Sequence, residues 1–119
     1  MKRDMDLVRQ ILIDLSESNN SLPANVFTTE KWDEKTVGYN MVIMAEAGLI
    51  EITRLGADGN PYYCVYAERL TWDGNEFLSA VKSDNVWSKV KKKIAKTASD
   101  APLEIFKFLA IQILKVLGK

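Results

Sequence analysis

Five lysines, Lys89, Lys91, Lys92, Lys93 and Lys96, fall within eight residues, and no acidic residue interrupts the stretch from Val86 to Ala98. Ammonium groups at that density can track a phosphate backbone or meet an acidic partner. Little else in the chain offers chemistry. There is no histidine, which removes the commonest general base and the commonest metal ligand together. The one cysteine, Cys64, can close no intramolecular disulfide and assemble no thiolate zinc site. It lies between Tyr63 and Val65, where a cysteine reads as a small buried hydrophobe rather than a reactive thiol. Adjacent acids such as Asp33 and Glu34 point to different sides of a helix and do not converge on a substrate. No glycine-rich loop can cradle a phosphate, and no cluster has metal-ligand spacing. Trp32, Trp72 and Trp87 show no stacking-platform spacing and read as core or boundary aromatics. The expectation is a protein without catalysis, cofactor or metal.

The chain has 119 residues, 47% of them hydrophobic and 27% charged, which suits one globular domain able to bury a core without a disulfide or metal staple. Sixteen basic and sixteen acidic residues cancel, so no net field draws the molecule to nucleic acid or an anionic surface. The charge is uneven, with a net −4 over residues 1–60 and a net +4 over residues 61–119. Single-cysteine usage fits a reducing cytoplasm. Asp6, Arg9 and Asp14 interrupt the early apolar residues, so no export signal is expected there.

Positioning these groups falls to a short series of elements. Leu7, Val8, Ile11, Leu12 and Leu15 recur at helical spacing behind Asp4, predicting a capped helix over 4–17. Residues 24–32 are long enough for a short strand or one helical turn, but not for both at full length. From Asp33, the residues Val37, Met41, Met44 and Ala45 line one face of a second helix, which Gly48 ends with Leu49 folding back. Ile50 to Leu55 alternates with period two, and Tyr62 to Tyr66 is aromatic and β-branched. Asp58-Gly59 between them is a hairpin signal. Thr71 caps a third helix with Phe77, Leu78 and Val81 inward. Ser83-Asp84-Asn85 breaks it. A fourth helix sets Trp87, Val90 and Ile94 opposite the lysines, and Ser99-Asp100-Ala101-Pro102 stops it and starts a fifth.

Helix, irregular segment, helix, hairpin, helix is the order of a winged helix, with the second helix in the recognition position. The expectation is therefore an α+β, winged-helix-like core over residues 1–82 with a two-stranded wing, and two further helices over 83–119 as an extension of the same domain. The blocks Met1-Lys2-Arg3-Asp4-Met5-Asp6-Leu7-Val8-Arg9, Ala45-Glu46-Ala47-Gly48-Leu49-Ile50-Glu51 and Arg69-Leu70-Thr71-Trp72-Asp73-Gly74-Asn75-Glu76-Phe77-Leu78, with Trp87, resemble domain-of-unknown-function family 2513. That resemblance implies a small bacterial or prophage-borne protein, winged-helix-like, of the kind labelled a regulator, with no established activity. The chain departs from the pattern in carrying Asn40 and Asn75 where the family frequently has histidine.

Three surfaces then compete for a function. With Val37, Met41 and Met44 inward, the second helix turns Lys35, Tyr39, Val42, Ile43 and Glu46 outward. One cation there is poor provision for phosphates, and Arg54 is the wing's only base. The fourth helix is better supplied. A DNA contact would therefore combine Lys89, Lys92, Lys93 and Lys96 with Arg54, Lys35, Tyr39 and Asn40. The fifth helix has only Glu104, Lys107, Gln112 and Lys115 as polar residues from Leu103 to Leu117, a stripe of about 140° at 100° per residue. Ile105, Phe106, Leu109, Ile113, Leu114, Val116 and Leu117 cannot all face one neighbouring helix, which predicts a homodimer centred there. Its apolar run, about 22 Å long, is too short to span a membrane. Double-stranded DNA and a protein partner stay open as alternatives: a DNA-binding transcriptional regulator, or an adaptor that binds protein through the winged-helix surface and the C-terminal helix without DNA.

Overall fold

The computed structural model describes residues 2–57, 60–97 and 102–117. Its five helices and three-stranded antiparallel sheet make an α+β fold, whose residues gather into two units, Met1–Asn75 and Glu76–Lys119.

In the first unit, helix α1 (Met5–Glu17) starts where Asp4, in extended conformation, accepts hydrogen bonds from the amides of Asp6 at 3.0 Å and Leu7 at 3.2 Å. That satisfies two of the orphan donors of a helix start. Leu7, Val8, Ile11, Leu12 and Leu15 form its buried stripe. The ambiguous segment 24–32 resolves as one 3-10 turn (Ala24–Phe27) that buries Ala24 and Phe27, and a two-residue strand β1 (Leu22–Pro23) precedes it. Pro23 has no amide to give a ladder and suits this edge position.

Helix α2 (Glu34–Glu46) is capped by Asp33 and touches α1, the 3-10 turn and the two long strands. Contact on several sides explains why Val42, expected on the outward face, is buried. At its end the Leu49 amide donates to the Met44 carbonyl and the Gly48 amide to that of Ala45, with Gly48 at φ +79°. This is the Schellman arrangement, whose left-handed residue favours glycine.

Strands β2 (Ile50–Ala57) and β3 (Asn60–Leu70) run further than the patterning suggested, and the sheet order is β1-β3-β2. Val65 and Ala67 of β3 alternate into the core with Ile50 of β2. The β2–β3 register shifts between Glu51 and Ile52 and again between Leu55 and Ala57. The turn expected at Asp58-Gly59 lies outside the described residues. This order of elements is compatible with a winged helix.

Helix α3 (Trp72–Val81) follows β3 directly. The Thr71 hydroxyl accepts from the Gly74 amide at 3.0 Å and donates to the Gly48 carbonyl, while the Thr71 amide donates to the Leu49 carbonyl at 3.0 Å. A two-residue corner thereby ties the end of α2 to the start of α3. Trp72, expected in core or boundary, is 80% exposed. Gly74, two positions on, is the residue that faces inward, so the helical rotation turns Trp72 outward.

In the second unit, Ser83 caps α4 (Asp84–Thr97), accepting the Val86 amide at its hydroxyl and the Trp87 amide at its carbonyl. Helix α5 (Leu103–Leu117) follows. Of the break expected at 99–102, only Pro102 is described, and its carbonyl accepts the Ile105 amide at 3.0 Å. Trp87 of α4 stacks on Phe106 of α5, ring centres 5.6 Å apart and planes 28° from parallel. Such pairs add about 0.5–1.5 kcal/mol beyond their buried area.

A Cβ at position 74 would stand 1.9 Å from the Leu49 carbonyl oxygen, which cannot swing aside as a side chain would. Gly74→Ala is therefore expected to destabilise the fold by at least about 1–3 kcal/mol, the scale of overpacking. Thermal melting followed by circular dichroism checks this; an unchanged midpoint would show that the corner yields freely.

Candidate functional site

The residues singled out for DNA contact divide between the two units, Lys35, Tyr39, Asn40 and Arg54 in the first and Lys89, Lys92, Lys93 and Lys96 in the second. On α2, Lys35 is exposed and Tyr39 half-buried. At 100° per residue they share a strip with Ile43, half-buried, and Glu46, exposed. One cation and one anion flank an aromatic and an aliphatic side chain. The strip is positioned by Asp33, whose carboxylate accepts the Thr36 amide at 2.7 Å. Hydrogen bonds from the Thr36 hydroxyl and then its amide hold the Asp33 carboxyl below its ordinary value of 3.8.

Asn40 must be withdrawn from any binding surface. It is fully buried, and its amide accepts from the Asp4 amide at 2.9 Å while donating to the carbonyls of Lys2 at 3.2 Å and Thr36 at 2.9 Å. All its capacity near α1 is spent on backbone. The same node extends to Trp32, whose indole N–H donates to the other carboxylate oxygen of Asp4 at 2.8 Å. The clue in the sequence was the position of Asn40, one residue before the inward Met41 and three after the inward Val37, on the buried side of the helix.

On the hairpin, Arg54 is exposed, as is Leu55 beside it. Cys64 of β3 is a free, half-buried thiol rather than a fully buried one. Its hydrogen bond with Tyr66 raises that phenol above its ordinary value of 10.

On α4, Lys89, Lys92 and Lys93 are exposed, opposite the buried Val86, Trp87, Val90 and Ile94; the side chain of Lys96 lies outside the described residues. Lys89 and Lys93 border a groove of about 320 Å³ whose other side is Gln112, Ile113 and Val116 of α5. Of the candidate contact residues on α5, Phe106 and Ile113 are buried and are corrected from interface to core, Phe106 because it stacks on Trp87. Leu109 and Leu114 are half-buried, Ile105 and Val116 are exposed, and the side chain of Leu117 lies outside the described residues. Phe108, not among the candidates, is 58% exposed. Spacing could have found it, because a helix that buries Phe106 turns a residue two positions on to the far side.

Among the described residues no group of three acidic or thiol side chains could hold a metal ion, and no helix is long and apolar enough to cross a membrane. The arrangement offers surfaces for contact.

Residues 2–100 match the family described as Hypothetical protein (DUF2513). An uncharacterized protein of Haemophilus influenzae is 35% identical over 117 residues, covering 96% of each chain. No solved structure matches.

Replacing Asn40 by alanine strands the Asp4 amide and the Lys2 carbonyl, and an unsatisfied buried group costs about 1–3 kcal/mol. Asn40→Ala is expected to lose stability on that scale in urea unfolding. A change near zero would show that water reaches both groups. Asp33→Ala is expected to be less stable than the native chain at neutral pH. Because the Asp33 pKa is depressed, that difference is fully present above the ordinary carboxylate value and vanishes as pH falls through the folded value. Unfolding curves across the acid range decide it.

Proposed function

The chain belongs to the DUF2513 family, and we propose that it is a non-enzymatic, cytoplasmic winged-helix adaptor of bacterial or phage origin that grips a protein partner through the outward strip of α2. The observation behind this reading is the composition of that strip. Lys35 and Glu46, of opposite sign, flank Tyr39 and Ile43. A mixed-charge rim around an aromatic and an aliphatic residue suits a protein interface, in which a few such residues supply most of the binding energy. A helix reading DNA needs several cations to hold phosphates on either side of it. Here Lys35 is alone on the strip.

The exposed Lys89, Lys92 and Lys93 favour a second reading, a DNA-binding transcriptional regulator whose backbone contact is made by α4. The exposed Ile105, Phe108 and Val116 support, in addition, a homodimer through α5, because apolar groups grouped on one helix face mark contact surfaces.

Affinity purification from a native host separates the first two readings. Ile43→Glu is expected to lose the co-purifying protein, while the triple change of Lys89, Lys92 and Lys93 to glutamate retains it. The opposite pattern, with DNA recovered and its affinity falling steeply with salt, overturns the adaptor reading in favour of the regulator. For the dimer, light scattering at micromolar concentration is expected to give twice the chain mass, and Phe108→Glu to halve it. A native chain that stays monomeric removes the dimer.

A further inference from the structure

Apart from the α2 strip, the first unit contains a polar groove of about 560 Å³, bounded by the end of α1, the turn after it, the end of β3 and Asn75 of α3. Its size is that of a small-molecule site, but such sites are predominantly apolar and this one is not. Its lining includes Asn19, Asn20 and Asn75, whose side-chain amides are each both donor and acceptor, and the acidic Glu68. The one cation lining it, Arg69, is already committed. It donates to both carboxylate oxygens of Glu51, at 2.9 and 2.8 Å, and to the Leu70 carbonyl at 3.1 Å. The groove therefore offers an anionic ligand no free counter-charge.

One turn of α3 before the lining residue Asn75 stands Trp72. It precedes Asn75 by three residues, so the two are neighbours on the surface of α3. Its neighbours along the chain are occupied in holding the fold. Arg69 bridges to Glu51, Leu70 is buried, Thr71 caps and latches, and Gly74 gives passage to the Leu49 carbonyl. Trp72, at 80% exposure, adds little to that packing. It presents an apolar indole to water one helical turn from Asn75, which lines the groove. Asn75 donates its amide to the Thr71 carbonyl at 3.0 Å, which leaves its oxygen as an acceptor.

We propose that this groove binds a neutral sugar ring. Ring hydroxyls are donors and acceptors at once, matching the asparagine amides, and two adjacent hydroxyls can donate to the two oxygens of Glu68. The C–H face of the ring, which is apolar, lies against the Trp72 indole. The sugar can be a free or terminal hexose or the ribose of a nucleoside, since both present a vicinal diol.

The test is a nitrogen-15 titration of the full chain, following the side-chain amides of Asn19, Asn20 and Asn75 and the indole N–H of Trp72. The probes are methyl glucoside, methyl galactoside, N-acetylglucosamine, adenosine and uridine at millimolar concentration, with inorganic phosphate as the anionic control. Saturable shifts at these four residues with a hexose or with a nucleoside are expected, and which group produces them identifies the source. Trp72→Ala, at an exposed position, is expected to keep the native spectrum and weaken binding at least about tenfold, the scale of losing a stacked aromatic face. Glu68→Gln is expected to weaken it too. No shift with any sugar, shifts unaffected by Trp72→Ala, or shifts with phosphate alone would each overturn the proposal. Ile43→Glu leaves this groove intact, so its outcome is independent of the adaptor reading.

Discussion

Four residues in the first third of the chain share one set of hydrogen bonds on which the first unit depends. Asp4 caps α1 with its carboxylate, takes the Trp32 indole on the same group, and gives its amide to Asn40 of α2. Asn40 in turn holds the Lys2 carbonyl. The start of the chain is thus fixed to Trp32 and to α2, about thirty residues on, by groups that would each be costly to bury unpaired. Apolar packing along Leu7, Ile11, Val37 and Met41 supplies the gross stabilisation, but it has no direction. The Asp4–Asn40 pair sets the height at which α1 meets α2 and, through Trp32, the path of the chain into α2.

That arrangement also constrains function. A helix packed on α1, the 3-10 turn and both long strands has little surface left to offer, and what α2 shows outward is one narrow strip. The denser group of cations lies elsewhere, on α4 in the other unit. Fold analogy alone would assign DNA reading to α2, whose outward strip supplies one cation, Lys35, for it.

Much of this is legible from the residues. Asp4 and Thr71 announce their caps, and Gly48 its helix end, because each is a local device whose chemistry needs only the next few residues. The apolar periodicity locates α1 and the hairpin for the same reason. What escapes is set by tertiary neighbours. Val42 is buried by elements distant in sequence, and a helical wheel drawn for one neighbour cannot anticipate several, whereas Asn40 stands on the inward side of that wheel and is masked only by its polar side chain. Phe106 goes to the core because Trp87 offers a ring to stack against, and Ile113, two turns on, is buried on the same face, leaving Phe108 outside. Trp72 escapes for the opposite reason: a tryptophan is expected inside, yet the close approach of Gly74 to Leu49 fixes the rotation of α3 and turns the indole out. The resemblance to a family of unknown function locates the motif around Trp72 without saying what the indole does.

The two register shifts along β2 have a consequence for how copies of this protein meet. As the terminal strand of the sheet, β2 turns a row of amides and carbonyls outward over eight residues, long enough to template another strand. A regular ladder there would invite chains to add edge to edge without limit. The extra residues at both shifts lie in β3, Glu68 opposite the step from Glu51 to Ile52 and residues 61–63 opposite Gly56, so the pair is twisted and its repeat broken, and the exposed charge of Arg54 stands on β2. The irregular hairpin thus discourages open-ended polymerisation through the sheet, leaving side-chain surfaces rather than backbone to decide which molecules associate.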